Sequence, residues 1–157
     1  MTLTALTIEN LTLTLNQEIH VRATLDVTFA ALLEQIGPRN ETHDGKPLPM
    51  KIEPCPGGRW YRDLGDGNGH FWATVQAIKR PTLLELTGPL FMSAPVVNNL
   101  QYRLSEEKDG TLITFRHTAL GFVSDEHKVG MTQGWAHIFD RVRKQAETQR
   151  SGRGAGK

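Results

Sequence analysis

The side chains that could do chemistry in this sequence are three polar groups set among apolar neighbours. Asn98 and Tyr102 alternate with Leu100 and Leu104 along one stretch, and His117 alternates with apolar residues along the next. Residues two apart in a β-strand point to the same side, so all three polar groups are predicted to face the interior. Buried polar groups need hydrogen-bond partners. They therefore either bond to one another, to water or to a helix, or they orient an oxygen of a bound ligand.

One reaction could be carried by these groups. A neutral His117 beside a polarising Tyr102 could enolise a carbonyl compound. No further acid or base has a fixed position in the pattern, so no catalytic residue is assigned. A binding protein is favoured over an enzyme, and an enzyme stays an alternative. The six histidines lack metal-ligand spacing, and no glycine-rich loop opens a helix that would hold a phosphate. We expect neither a metal nor another cofactor.

The N-terminal part of the chain predicts strand followed by helix. Residues 7–14 and 17–23 alternate in hydrophobicity, either as one long strand bent at Asn16 or as a hairpin. A helical pattern then begins after Thr24, a plausible N-cap, and ends at Gly37.

The remainder predicts strands and then one long helix. Five or six strands occupy residues 50–120, and a helix runs from about Asp125 to Gln149. Strands in succession with helices segregated at the ends indicate an α+β fold with an antiparallel sheet. The helix must bury its apolar stripe on that sheet, and the stripe consists of Met131, Trp135, Ile138, Phe139 and Val142.

Length and composition limit the classes of protein. The 157 residues fit a single domain over residues 1–149, with an N-terminal strand extension at residues 1–16 and a disordered basic tail at residues 150–157. The net charge of +1 gives no reason to expect nucleic-acid binding. No apolar run could span a bilayer, no signal peptide is recognised, and Cys55 is the single cysteine. We therefore expect a cytoplasmic protein.

Four segments together resemble the START-like SRPBCC superfamily, in the branch related to the C-terminal domain of the activator of the ninety-kilodalton heat-shock-protein ATPase. They are Arg22 to Leu32, Pro56-Gly57-Gly58-Arg59-Trp60, Gly110 to His117, and Gly134-Trp135 followed by Phe139. The resemblance implies a helix-grip fold, in which a curved antiparallel sheet wraps around the long C-terminal helix and encloses a cavity. It also implies binding of lipids, hormones or polyketides, and some members catalyse cyclisation or dehydration.

The candidate ligand-binding residues combine the polar groups with large apolar side chains. Trp60 and Trp135 could be core or could contact a ligand, alternation leaves the face of Trp72 undecided, and Phe91 lies in a segment that could cover the cavity mouth or be an ordinary packed loop. The full predicted set is Trp60, Trp72, Phe91, Asn98, Tyr102, His117, Met131 and Trp135.

Three functions compete on this sequence. The first is binding of a small hydrophobic or amphipathic ligand between the sheet and the C-terminal helix. The second is a protein-interaction or co-chaperone-like role, with a protein partner or a homodimer and an exposed apolar patch. The third is an enzyme of the polyketide cyclase or dehydratase kind, which needs two or more titratable groups converging in the cavity.

Overall fold

A curved antiparallel sheet grips one long helix in the computed structural model, which describes residues 7–155 and the side chains of residues 7–149. The seven strands lie in the order β1-β7-β6-β5-β4-β3-β2. The predicted α+β helix-grip fold is confirmed. In chain order the elements are a 3-10 helix (Ile8–Leu11), β1 (Thr12–Val21), α1 (Leu25–Ile36), β2 (Lys51–Ile52), β3 (Arg59–Gly65), β4 (Asn68–Lys79), β5 (Leu83–Gly88), β6 (Val96–Glu107), β7 (Gly110–Gly121) and α2 (Asp125–Ala155).

The N-terminal strand is one continuous element. β1 pairs with β7 along its whole length, from Thr12 opposite Leu120 to Val21 opposite Thr111, which excludes the hairpin alternative. Residues 8–11 form a 3-10 helix where the alternation predicts strand, because the Asn10 side chain accepts a hydrogen bond from the backbone N–H of Thr7 at 2.9 Å. Residues 1–6 of the predicted extension lie outside the described part of the chain.

Both α-helices begin at a capping side chain, which for α1 is the predicted Thr24. The Thr24 hydroxyl accepts from the backbone N–H of Val27 at 3.3 Å, and the Ser124 hydroxyl accepts from that of His127 at 3.1 Å. α2 continues to Ala155, past the predicted end at Gln149, because extending a helix that packing already holds costs little. Residues 156 and 157 of the predicted tail lie outside the described chain.

The core lies between the concave face of the sheet and α2. Phe115 of β7 packs its ring against Trp135 and Phe139 of α2, with ring centroids 4.7 Å and 5.0 Å apart. Tyr102 of β6 lies 4.9 Å from the same phenylalanine. Of the helix stripe predicted from the sequence, Met131, Trp135, Phe139 and Val142 are buried and Ile138 is partly buried. Neither helix within residues 7–155 has the length and apolar character needed to cross a membrane.

Candidate functional site

A pocket of about 300 Å³ lies at one end of the core, where α2 meets β3, β4 and two loops. We call it the aromatic pocket, after Trp60, Trp72, Phe91 and Trp135 in its wall. Its apolar wall is completed by Leu48, Leu90, Gly130, Met131, Gly134 and Ile138, and its polar end is formed by Asn40, Glu41, Thr42 and His43. The structure brings the predicted residues Trp60, Trp72, Phe91, Met131 and Trp135 together here, and it places Asn98, Tyr102 and His117 in the core outside the wall.

The aromatic wall is a chain of edge-to-face contacts. Trp60 and Trp72 have centroids 5.1 Å apart at an interplanar angle of 77°, and Trp72 lies 6.0 Å from Phe91. The orientation of the Trp60 ring is fixed, because its indole N–H donates to the backbone carbonyl of Ile36 at 2.8 Å. These contacts give the wall a defined shape.

A β-bulge explains why alternation leaves Trp72 undecided. Trp60 pairs with Ala73 and Tyr61 pairs with Phe71, so Trp72 is an extra residue in β4 with no partner in β3. The bulge changes the parity of the strand: Ala73 is fully buried, whereas Phe71 of the same parity is 43% exposed. It turns Trp72 into the pocket wall.

The segment after β5 is attached to this bulge. The backbone N–H of Leu90 donates to the carbonyl of Trp72 at 2.8 Å, and Leu90 has a left-handed backbone with φ 56°. A Cβ at Gly88 would lie 2.3 Å from the Trp72 carbonyl oxygen, so only glycine permits this close approach. The segment thereby holds Phe91 at the rim, in ring contact with His127 at 5.3 Å. Its role as a lid stays a prediction.

Two glycines on α2 contribute space rather than contacts. Gly130 and Gly134 are one helical turn apart and both line the aromatic pocket. Apart from the adjoining residues and backbone of its own helix, a Cβ built on either would meet no described atom within 4 Å. Neither glycine is therefore required by close packing, and a side chain at either position has room to enter the pocket.

The polar end of the pocket comes from the loop between α1 and β2, in which no functional residue was predicted from the sequence. The Asn40 side-chain amide donates to the carbonyl of Leu48 at 3.1 Å and closes the loop. Glu41 ties the loop to α2, because its Oε1 lies 2.7 Å from Nε2 of His137 and 2.8 Å from the Arg141 guanidinium. No local signal reveals such pairs, which join residues about a hundred positions apart.

A hydrogen-bonded chain beneath the pocket uses two of the predicted polar residues. The Trp135 indole N–H donates to Nδ1 of His117 at 3.0 Å, so the proton of the neutral ring is on Nε2. Nε2 then donates to Oδ1 of Asn98 at 2.7 Å, and the Asn98 amide donates to the carbonyl of Gly88 at 3.1 Å. Burial lowers the pKa of His117 to about 4 and keeps the ring neutral.

The chain of bonds runs from Trp135 in the pocket wall to Gly88 at the end of β5, and it orients the Trp135 indole. Of the two roles predicted for Asn98 and His117, the structure shows bonding to each other and to the helix. Tyr102 differs, because its buried hydroxyl has no hydrogen-bond partner among the described residues. Burial raises the pKa of that hydroxyl well above its usual value. The ligand-binding role of all three stays a prediction.

Comparison with known proteins identifies one family. The family model described as Activator of Hsp90 ATPase homolog 1-like protein matches residues 40–147, well over half of the chain. The matched part contains the aromatic pocket and the hydrogen-bonded chain beneath it. No curated protein matches the sequence.

Solved structures share the fold at low sequence identity. An uncharacterized protein from Rhizobium leguminosarum is 18% identical with a TM-score of 0.68, over 87% of this chain and 95% of that one. The di-domain ARO/CYC StfQ from the steffimycin biosynthetic pathway is 14% identical with a TM-score of 0.67, over 92% of this chain and 53% of its own. Ara h 8.0201 is 17% identical with a TM-score of 0.63, over 87% and 99%. These likenesses establish the START-like fold alone.

Proposed function

This chain belongs to the Activator of Hsp90 ATPase homolog 1-like family, and on that premise we propose that its aromatic pocket binds a small apolar or amphipathic molecule. The proposal assigns binding and no reaction. The observation that carries it is a pocket with four aromatic side chains in its wall and two helix glycines that leave its space open.

The chemistry of the pocket supports a ligand with an apolar, preferably flat body. Ligand sites are typically apolar clefts of about 300–1,000 Å³ with a few convergent polar groups, and this pocket lies at the small end of that range. Edge-to-face aromatic walls accept another ring in the same geometry. Met131 adds an adaptable apolar contact from α2.

The two glycines support the proposal because they make the helix less stable although close packing does not require them. Glycine inside a helix is less favourable than alanine by about 1 kcal/mol. At Gly130 and Gly134 no neighbour would clash with a methyl group. Alanine would therefore stabilise the helix, and what glycine retains at these positions is free space in the pocket.

The experiment is a titration with 2-methylnaphthalene followed by tryptophan fluorescence. All three tryptophans of the sequence, Trp60, Trp72 and Trp135, line the pocket, so the intrinsic signal reports on this site. Saturable quenching is expected for the wild type. The variant Gly134→Ala should be more stable by up to about 1 kcal/mol yet should bind the probe more weakly.

The control is Gln133→Ala, at an exposed neighbouring position of the same helix. It should leave the affinity for the probe unchanged. If Gly134→Ala bound the probe as tightly as the wild type, the space would not be used by the ligand. If the wild type showed no saturable quenching, the binding proposal itself would fail.

A protein-interaction role is the second candidate, because an exposed apolar cluster lies away from the pocket. Val97 and Leu120 face each other across β6 and β7 and are 48% and 50% exposed, and Phe122 follows with 56% exposed. Such a cluster suits a protein partner or a second copy of the chain. Sedimentation velocity of Phe122→Ser against the wild type tests self-association, which the substitution should abolish if a homodimer forms there.

The cellular setting belongs to the proposal as well. Cys55 is free and exposed, which suits a reducing compartment such as the cytoplasm. A fractionation experiment with a tagged chain would test this, and recovery with the membrane or secreted fraction would contradict it.

A further inference from the structure

We infer that two copies of this chain associate through the free edges of their β1 strands, which pair antiparallel about a two-fold axis and join the two sheets into one. The surface concerned is separate from the aromatic pocket, so the inference does not depend on the proposed ligand. Its starting observation is a long edge strand whose outer backbone groups have no partner within the described chain.

The two edges of the sheet differ in how they are protected. β1 and β2 are the outermost strands. β2 has only two residues and lies between Pro49 and Pro54, and both short edge strands and prolines hinder pairing with another chain. β1 has ten residues, contains neither proline nor lysine, and pairs with β7 without a register shift. A long, regular edge of this kind is a template for one more strand.

The backbone groups of alternate residues in β1 face the free edge. The carbonyl oxygen of Val21 points towards β7, where it would touch a Cβ built on Gly110. The backbone N–H of the next residue, Arg22, points the opposite way and donates to Oε1 of Glu147 in α2 at 3.2 Å. Successive residues of a strand direct their backbone groups to opposite edges. The residues of β1 that direct their N–H groups away from β7 therefore include Thr14, Asn16, Glu18 and His20.

This part of the edge is open. No hydrogen bond from another described residue reaches any of these four N–H groups, and the four side chains are exposed. α2 does not cover the edge here, because a gap of about 280 Å³ lies between Gln17–His20 of β1 and the α2 residues Ala136, Phe139, Asp140 and Arg143. A second strand can therefore reach the backbone of β1.

The outer face of β1 is complementary to itself. With a two-fold axis at Gln17, Asn16 of one copy lies opposite Glu18 of the other, and Thr14 lies opposite His20. All four are residues whose backbone groups face the free edge, so each facing pair exchanges two backbone hydrogen bonds. The side chains also match, because an amide or a hydroxyl can donate to a carboxylate or bond to an imidazole.

The inner face of β1 matches in the same register. Leu15 lies opposite Ile19 of the second copy, and Leu13 lies opposite Val21. These pairs are not hydrogen-bonded, and in such pairs the side chains of the two strands come closest together. Leu13 and Leu15 are only partly buried in the single chain. Pairing therefore removes further apolar surface from water.

Neighbouring registers are less favourable. An axis at Asn16 would set Leu15 against Gln17, and an axis at Glu18 would set two glutamate carboxylates against each other. An unrelated strand would match both faces of β1 only by carrying the same alternation of apolar and polar side chains. The complementarity of β1 to itself therefore favours a second copy of the chain as the partner.

Sedimentation velocity across a dilution series, from near-millimolar to micromolar protein, tests the inference. We expect the wild type to form a dimer that dissociates on dilution. Asn16→Pro removes an N–H that no described residue uses, and an edge strand tolerates proline at such a position. This variant should fold and stay monomeric throughout the series. Asn16→Thr is the matched control, because it retains the N–H and a side-chain donor and should still dimerise.

A cysteine on the axis gives a second test. Facing residues of a non-hydrogen-bonded pair have Cα atoms about 4.5 Å apart, a distance that a disulfide can join. In a Cys55→Ser background, Gln17→Cys should therefore form a disulfide-linked dimer on mild oxidation. Thr14→Cys, on the same strand but away from the axis, should not.

The outcomes separate this inference from the alternatives. A wild type that is monomeric at every concentration, or a folded Asn16→Pro that still dimerises, would overturn it. A dimer lost in Phe122→Ser and retained in Asn16→Pro would place the contact on the exposed apolar cluster and overturn it as well. Should Asn16→Pro fail to fold in a thermal melt, the Gln17→Cys crosslink decides. The probe titration of the aromatic pocket is independent of all these results.

Discussion

The buried His117 should make the protein less stable in mildly acidic solution. Its Nδ1 accepts from Trp135 and its Nε2 donates to Asn98, which requires the neutral ring. Burial lowers its pKa from 6.5 to about 4 in the folded chain. The unfolded chain therefore binds the proton more readily, so this contribution to stability is complete above about pH 6.5 and is lost as the pH falls towards 4.

The size of the effect follows from that pKa difference. Each pKa unit corresponds to about 1.4 kcal/mol, which gives a total of about 3 kcal/mol. About 2 kcal/mol of this should be lost between about pH 7.5 and about pH 5. Protonation would also set an N–H of the ring against the indole N–H of Trp135. The lost hydrogen bond and the burial therefore both disfavour the protonated form of His117.

Urea unfolding followed by tryptophan fluorescence measures the effect, with His117→Gln as the comparison. Glutamine can accept from Trp135 and donate to Asn98 without titrating in this range. The wild type should lose about 2 kcal/mol more of its unfolding free energy than the variant between the two pH values. Equal pH dependence of the two proteins would refute the neutral buried histidine and the chain of bonds built on it.

Three further substitutions test individual contacts. Tyr102→Phe removes a buried hydroxyl that has no partner among the described residues, so the unfolding free energy should stay unchanged or rise by up to about 1 kcal/mol; a clear loss would reveal a missed partner. Trp60→Phe removes the hydrogen bond to the Ile36 carbonyl and part of a buried ring. It should lower the free energy of unfolding in denaturant by about 2–3 kcal/mol, and an unchanged value would contradict the core role of Trp60. Ser124→Ala removes the α2 cap and should lower the stability measured by thermal unfolding by about 1 kcal/mol. An unchanged melting temperature would show that the cap does not contribute to stability.

The regular strands could be predicted from the sequence because their alternation is unbroken. β6 and β7 pair without a register shift, from Val96 opposite Gly121 to Glu107 opposite Gly110. Alternation therefore correctly predicted that Asn98 and His117 point inward. Alternation could not assign a face of the sheet to Trp72, because a bulge inserts one residue into β4 there and changes the alternation.

The polar end of the pocket could not be predicted for a different reason. Asn40 and Glu41 lie in a loop without periodicity, and their place in the pocket depends on contacts with Leu48, His137 and Arg141 that only the folded chain brings together. Apolar residues on α2 were found because a helical stripe is periodic. Of the two glycines of that helix in the pocket wall, Gly134 was noticed only as part of a family motif and Gly130 was not noticed, since the space they leave is a property of the packed structure.

The most direct test of the central claim is a crystal of this protein soaked with 2-bromonaphthalene, in which the anomalous scattering of bromine locates the compound. We predict a bromine peak inside the aromatic pocket, enclosed by the Trp72, Phe91 and Trp135 side chains. A peak confined to other surfaces, or no peak at saturating compound, would contradict the claim that this pocket is a ligand site.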